Sequence, residues 1–384
     1  MRNEELGIYK LKYIEMKRLV ILAMCVLSCV MIFAQEKKEE QPLRYVDALE
    51  FRMINKGFFD TETPYSRLPK YLQDSIRPDL WDRGLCSAGV AIRFATDSKR
   101  VGVRYRLLKN FHMYHMADTG TKGADLYIRN EKGKWEYVNT CRPMVKDKET
   151  KECEKVFVDN FDGTMHEFII YLPLYDGVTE MFVAVDSAAN LIQPQVDSPR
   201  KDKRIVMYGT SVLQGGCATR TGMAGTNIMQ RDLDCEVINL GFSGEGKMDM
   251  CMARAMAQIP NVACYVLDPV PNCTEGMCDT LTYAFVSELH RLRPEVPIVM
   301  VEGHTYTYAK YDTFFKDYLP KKNEAWLRNY KKLKKDGIKN LYYVTTDGLF
   351  GYDNEGTVDG IHYTDLGYRY YAQKLEKVVK RFVK

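Results

Sequence analysis

Four short segments hold polar residues of types and spacings that can do chemistry: Gly209-Thr210-Ser211, Gly241-Phe242-Ser243-Gly244, Asp268-Pro269-Val270-Pro271-Asn272 and Asp359-Gly360-Ile361-His362. A serine hydroxyl is a weak nucleophile until a neutral imidazole takes its proton, and a tetrahedral oxyanion needs N–H donors already aimed at it. Each part has a candidate. Ser211 would attack, His362 would act as base, and Asp359 would accept the second ring N–H. The backbone amides of Ser211 and Gly241 and the side-chain amide of Asn272 would hold the oxyanion. Asp359 and His362 are three residues apart on a glycine-containing turn, so one loop can present both. The chemistry this set points to is acyl transfer at a carboxylic ester.

Each residue also has a plainer role. A serine after a strand is commonly part of a turn, and Asn272 could cap a helix that starts near Thr274. Gly241 could serve only to permit a positive φ, and Asp359 only to close its own turn. Asp268 reads as structural, steadying the loop that presents Asn272. His304 competes with His362 for the role of base, but its expected role is lining the pocket. His112 and His115 have a His-x-x-His spacing without the helix or acid of a zinc protease, so no metal site is expected.

These groups need a frame to bring them together. After residue 203 apolar runs alternate with helical periods: Ile205–Tyr208, Glu236–Leu240, Cys264–Leu267, Ile298–Val301 and Leu341–Val344. Five such runs predict a parallel sheet, at whose carboxyl edge working residues collect. The last helix is the clearest, with Leu366, Tyr370, Tyr371, Leu375, Val378, Val379 and Phe382 on one face. Before it, residues 43–192 show short alternating segments that predict an antiparallel β-sandwich. They are Gly89–Phe94, Val101–Tyr105, Asp125–Arg129, Trp135–Asn139, Glu167–Leu172 and Glu180–Val185. Residues 193–203, with Pro194 and Pro199, read as a linker, and residues 204–384 as the α/β domain.

Residues 1–34 read as a signal peptide with an upstream extension, since Lys17-Arg18 precedes an apolar run from Leu19 to Ala34. That run is too short for a stable membrane span, so a periplasmic or extracellular mature chain is expected. Lipidation at Cys29 is the less favoured alternative. The chain carries 55 Lys and Arg against 51 Asp and Glu, a net charge of +4, which falls to +2 without residues 1–34. That balance gives nucleic-acid binding no support. Of eleven cysteines, nine remain after the leader, with no metal-type pairing. Cys273 and Cys278 are the closest pair that could form a disulfide, with buried free thiols an equal alternative. No pattern sets the oligomeric state.

In their order, the blocks around Ser211, Gly241, Asn272 and His362 resemble those of the SGNH/GDSL hydrolases. Gly123-Ala124-Asp125-Leu126-Tyr127 resembles the Gly-x-Asp-Leu-Tyr motif of a branch with an N-terminal β domain. The resemblance covers about residues 45–384 and departs at two points: Gly-Thr-Ser-Val replaces Gly-Asp-Ser-Leu, and Tyr363 stands where proline often follows the histidine. It implies a flavodoxin-like three-layer hydrolase domain and ester hydrolysis with no metal or organic cofactor. The implied substrate is a small ester or an acetylated carbohydrate, with O-acetyl groups on carbohydrate the main expectation. A lipase or lysophospholipase activity is the first alternative, and a carbohydrate-binding surface protein with an inactive hydrolase domain the second. In this family the segment bearing His115 precedes the motif strand, so its loop is expected to lean toward the active site.

Overall fold

In the five parallel strands, alternate side chains point to opposite faces, and both faces are apolar, so both must be covered. The computed structural model describes residues 16–17, 42–143 and 151–384. Apart from Met16 and Lys17, the expected signal peptide lies outside the described residues. The parallel sheet runs in the order Cys235–Gly241, Arg200–Gly209, Val262–Asp268, Ile298–Val301, Leu341–Val344. One face sends Val206, Tyr208, Ile238, Leu240, Leu267 and Met300 against Met252, Phe285, Leu289 and Trp326 of three helices. Those helices are Met250–Ala257, Thr282–Leu292 and Thr313–Lys335. The other face sends Ile205, Met207, Val237, Val266 and Val299 against helices Gly225–Leu233 and Asp365–Val379. The expected three-layer α/β domain is therefore what the second half forms. Its first strand begins at Arg200, inside the stretch read as a linker.

The preceding half is an antiparallel β-sandwich. One sheet has the order Leu43–Asp47, Val178–Asp186, Val101–Leu107, Glu152–Val158. The other runs Leu191–Ile192, Ala91–Thr96, His166–Tyr171, Ala124–Arg129, Trp135–Cys141, with Arg52–Ile54 also paired to Ala91–Thr96. Ile92, Phe94, Leu126, Phe168 and Ile170 meet Val101, Val103, Tyr105, Val183 and Val185 between the sheets. Period-two alternation turns their neighbours the other way, and Ala91, Tyr127, Ile169 and Tyr171 form a separate buried cluster. That outer face meets the α/β half: the Tyr171 hydroxyl donates to Gln230 Oε1, and Arg231 lies over the Tyr127 ring. Leu43–Lys384 is one compact unit.

All nine described cysteines are free thiols, Cys273 and Cys278 included. Among the described residues no helix is long and apolar enough to cross a membrane.

Candidate active site

The strand order places the first strand, Arg200–Gly209, between its two neighbours in the sequence-ordered set, and a crevice opens beyond its carboxyl end. Gly209 lets that end pass close to the next strand, because a Cβ there would lie 2.7 Å from the Asp268 carbonyl oxygen. Ser211 then opens the one-turn helix Ser211–Gln214, whose first amides have no intrahelical acceptor. Gly215, at φ 111°, ends the turn.

The turn bearing Asp359 and His362 lies between strand Leu341–Val344 and the final helix. Val358 N and Thr357 Oγ1 both donate to the His362 carbonyl, at 2.9 and 2.8 Å, closing the turn on itself. Gly360 has φ 88°, and a Cβ there would fall 2.8 Å from Tyr308 Cδ1, so glycine is required on both counts. Thr364 caps the helix that follows through the Gly367 amide.

The result is a continuous chain of hydrogen bonds. Ser211 Oγ lies 2.9 Å from His362 Nε2, and His362 Nδ1 lies 2.7 Å from Asp359 Oδ2. Asp359 Oδ1 accepts the amides of His362 and Ile361 at 2.8 and 3.0 Å. Burial works against the Asp359 carboxylate, but these donors outweigh it and hold the carboxyl below its ordinary value. An ionised Asp359 fixes the proton on Nδ1, which leaves the Nε2 lone pair to accept from the serine hydroxyl.

Asn272 reaches the same crevice from the loop after strand Val262–Asp268, and its Nδ2 donates to the Phe242 carbonyl at 3.2 Å. It does not cap the next helix; Thr274 does, accepting from Met277 N. Asp268, directly before this loop, is buried and accepts from the Tyr371 hydroxyl at 2.9 Å, with burial pushing its carboxyl up to about 7.

Gly241 requires a correction. Its amide is already donated to Asn239 Oδ1 at 2.9 Å, and its carbonyl accepts from Arg67 Nη1 at 2.7 Å. What Gly241 provides is room, since a Cβ there would lie 2.2 Å from the Gln214 amide nitrogen. Three residues on, Gly244 is exposed at φ 76° with open space around it. Among the described residues its amide has no protein acceptor. Ser243 N bonds to Gln214 Oε1 at 2.8 Å, which holds this segment beside the helix of Ser211.

His304 is buried among Tyr306, Phe350 and Tyr363, and burial, with His362 nearby, pushes its pKa down to about 3. It lines a pocket of about 230 Å³ beside the triad, together with Thr305, Tyr306, Thr307, Lys310, Thr346, Asp347 and Phe350. Ser211 pairs with His362 instead. His115 comes across from the β-sandwich half, on a turn bounded by the Met113 to Met116 bridge, and its ring centroid is 5.6 Å from that of His362. His112 does not join it and binds Asp118 at the surface.

Several supporting residues give no signal in the sequence. Buried Arg67 donates to the carbonyls of Arg83, Cys86, Asn239 and Gly241, so it pins the Gly241 loop from the sandwich half. The Tyr175 hydroxyl donates to the Ser211 carbonyl at 3.2 Å. Only the Gly-x-Asp-Leu-Tyr motif marked this contact surface. Asp125 and Tyr127 point outward from the sandwich and meet Arg220, while Leu126 points into its core.

Residues 202–380 match the GDSL-like lipase/acylhydrolase family, and residues 43–191 match the GxDLY family, the N-terminus of SGNH-hydrolase-type esterases. A crystal structure described as a GDSL-like lipase from Bacteroides ovatus ATCC 8483 is 30% identical, with a TM-score of 0.83, and the alignment covers 89% of this chain and 98% of that one. The salicylyl-acyltransferase SsfX3 of a tetracycline biosynthetic pathway shares the fold at 16% identity and a TM-score of 0.68, over 89% and 97% of the two chains. So does a family two carbohydrate esterase from Cellvibrio japonicus, at 13% identity and 0.55, over 90% and 100%. A search of curated proteins finds no match.

Proposed function

The chain belongs to the GDSL-like lipase/acylhydrolase family and is a carboxylic ester hydrolase, and on that premise we propose that it cleaves O-acetyl groups from carbohydrate with Ser211 as nucleophile. The observation that carries the mechanism is the unbroken hydrogen-bond chain from Ser211 Oγ through His362 to Asp359. Ser211 Oγ attacks the ester carbonyl as His362 Nε2 takes its proton. The imidazolium, held by Asp359, passes that proton to the leaving sugar hydroxyl, and the acyl-serine remains. Water then enters, gives its proton to His362, and releases acetate as the serine is restored. The Ser211 and Gly244 amides and Asn272 Nδ2 are the donors proposed for the oxyanion.

Two features favour a sugar ester over a long acyl chain. The pocket beside the triad mixes threonines, Lys310, Asp347 and Asn354 with Tyr306, Leu349 and Phe350, so it is no purely apolar tunnel. Two exposed rings lie by these groups, Tyr114 against His115 and Tyr311 against Lys310 of the pocket lining, and flat exposed rings suit the apolar faces of sugars. Sharing a fold with carbohydrate esterases agrees with this reading. The apolar run before Gln35 supports secretion, so the proposed site of action is the periplasm or the exterior.

Ser211→Ala should abolish acetate release from acetylated glycans and from nitrophenyl acetate, with an unchanged circular dichroism spectrum. A retained rate would overturn the mechanism. Faster turnover of long-chain than of acetyl nitrophenyl esters would overturn the substrate class alone.

A further inference from the structure

One cluster shares His362 with the triad and adds two side chains, His115 and Cys217, that ester hydrolysis does not use. One ring nitrogen each of His115 and His362 and the Sγ of Cys217 all lie within 4.8 Å of one another. The three arrive on separate segments. His115 sits at the tip of a turn from the sandwich half, which is anchored upstream where Asp176 Oδ2 accepts the Phe111 amide at 2.7 Å. Downstream, Gly120 packs so closely on Ala218 that a Cβ would lie 2.1 Å from its carbonyl oxygen. Cys217 follows Gly216, at which a Cβ would lie 3.2 Å from His362 Cδ2.

Two further features belong to this cluster. His115 Nδ1 is buried with no hydrogen-bond partner among the described residues, so it is not already committed to a protein group. Cys217 is held at φ 71°, a left-handed conformation that costs a non-glycine residue about 1 kcal/mol. Two imidazoles and a thiol are the donor set of zinc and other thiophilic divalent cations.

We propose that His115, Cys217 and His362 form a site for a thiophilic divalent cation such as zinc, and that its occupancy switches the esterase off. Metal–nitrogen and metal–sulfur bonds of about 2.0 and 2.3 Å set ligand separations of about 3.3–3.8 Å. The cluster must therefore close by about an ångström, a shift that rotation of the His115 side chain would supply. Water can supply the fourth ligand, because His115 and His362 are both partly exposed. Both ring nitrogens of His362 are already engaged, Nε2 with Ser211 and Nδ1 with Asp359. An ion that takes either one removes the base or its orienting partner, and the serine loses its proton acceptor. The sandwich half, which holds His115, thereby controls a reaction carried out by the other half.

The switch rests on the assignment of His362 as base, but metal binding does not, and the test separates the two. Cobalt(II) added to the full-length Ser211→Ala chain should produce the near-ultraviolet thiolate-to-metal band, and Cys217→Ser in the same background should lose it. This arm reads binding whether or not the chain is an esterase. In the activity arm, zinc buffered by a chelator at low micromolar free concentration should inhibit the wild type reversibly. Cys217→Ser should keep its basal activity and need at least about tenfold more zinc. His115→Ala, compared with its own metal-free rate, should lose zinc sensitivity likewise. Absence of the thiolate band, or equal zinc inhibition of wild type and Cys217→Ser, would overturn the proposal.

Discussion

Asp125 Oδ2 lies 2.8 Å from both Arg220 Nη1 and the Gly222 amide, tying a sandwich strand to the loop that follows the helix of Ser211. The carboxylate is fully buried, and its other oxygen accepts from Thr140. Removing it leaves a largely buried guanidinium and a buried amide without an acceptor, so Asp125→Ala should cost about 3–5 kcal/mol. Asp125→Asn, which can still accept from Gly222, should recover part of that. Denaturant midpoints of the three proteins check it, and wild-type stability in Asp125→Ala would refute the clamp.

Asp359 holds the imidazole by one side-chain bond and its own turn by two backbone bonds. Asp359→Asn keeps the shape but can offer an N–H to Nδ1, which drives the ring proton onto Nε2 and removes the lone pair facing Ser211. The expected result is a fall in kcat of roughly 10³–10⁴ with KM little changed. Steady-state kinetics on nitrophenyl acetate measures it, and a loss confined to KM would show that Asp359 acts only on binding.

Ser211 and His362 are 151 residues apart, yet both were legible, because each follows an element that ends at the same sheet edge. The five parallel strands were legible for a related reason: buried on two faces, they are continuous apolar runs. Glu152–Val158 was missed because it is an edge strand whose Glu152 and Glu154 face solvent, so its sequence reads as a charged loop. Arg67 was invisible because four of its acceptors are backbone carbonyls, which no side-chain pattern encodes. Gly241 and Gly244 could not be told apart by spacing. The difference is the Asn239 side chain, which occupies one amide and leaves the other open.

That difference predicts opposite outcomes for the two glycines. Gly241→Ala forces a Cβ to within 2.6 Å of Leu213 C and closer still to the Gln214 nitrogen, so it should destabilise the whole hydrolase half. Gly244→Ala meets open space and pays only for its positive φ, about 1 kcal/mol. Its effect should appear in kcat as the loop shifts, and Asn272→Ala should lower kcat by roughly 10²–10³ with the fold intact. Melting temperatures beside kcat for the three variants separate the roles. A kcat loss in Asn272→Ala but none in Gly244→Ala would remove Gly244 from the oxyanion site.

Asp268 makes stability depend on pH. Burial pushes its carboxyl from the ordinary carboxylate value up to about 7, opposed only by the Tyr371 hydroxyl bond. Between about pH 4 and 7 the folded chain therefore holds a proton that the unfolded chain has released. Folding stability from this group is complete below about pH 4 and is lost as pH rises through 7, by up to about 4 kcal/mol. Asp268→Asn cannot ionise, so any offset it brings to overall stability is constant with pH and this slope should flatten. Denaturant midpoints across pH 4–8 for wild type and variant make the comparison. If the variant keeps the full wild-type slope, the dependence belongs to another group, with half-buried Glu376, also pushed up to about 7 by burial, the next to test.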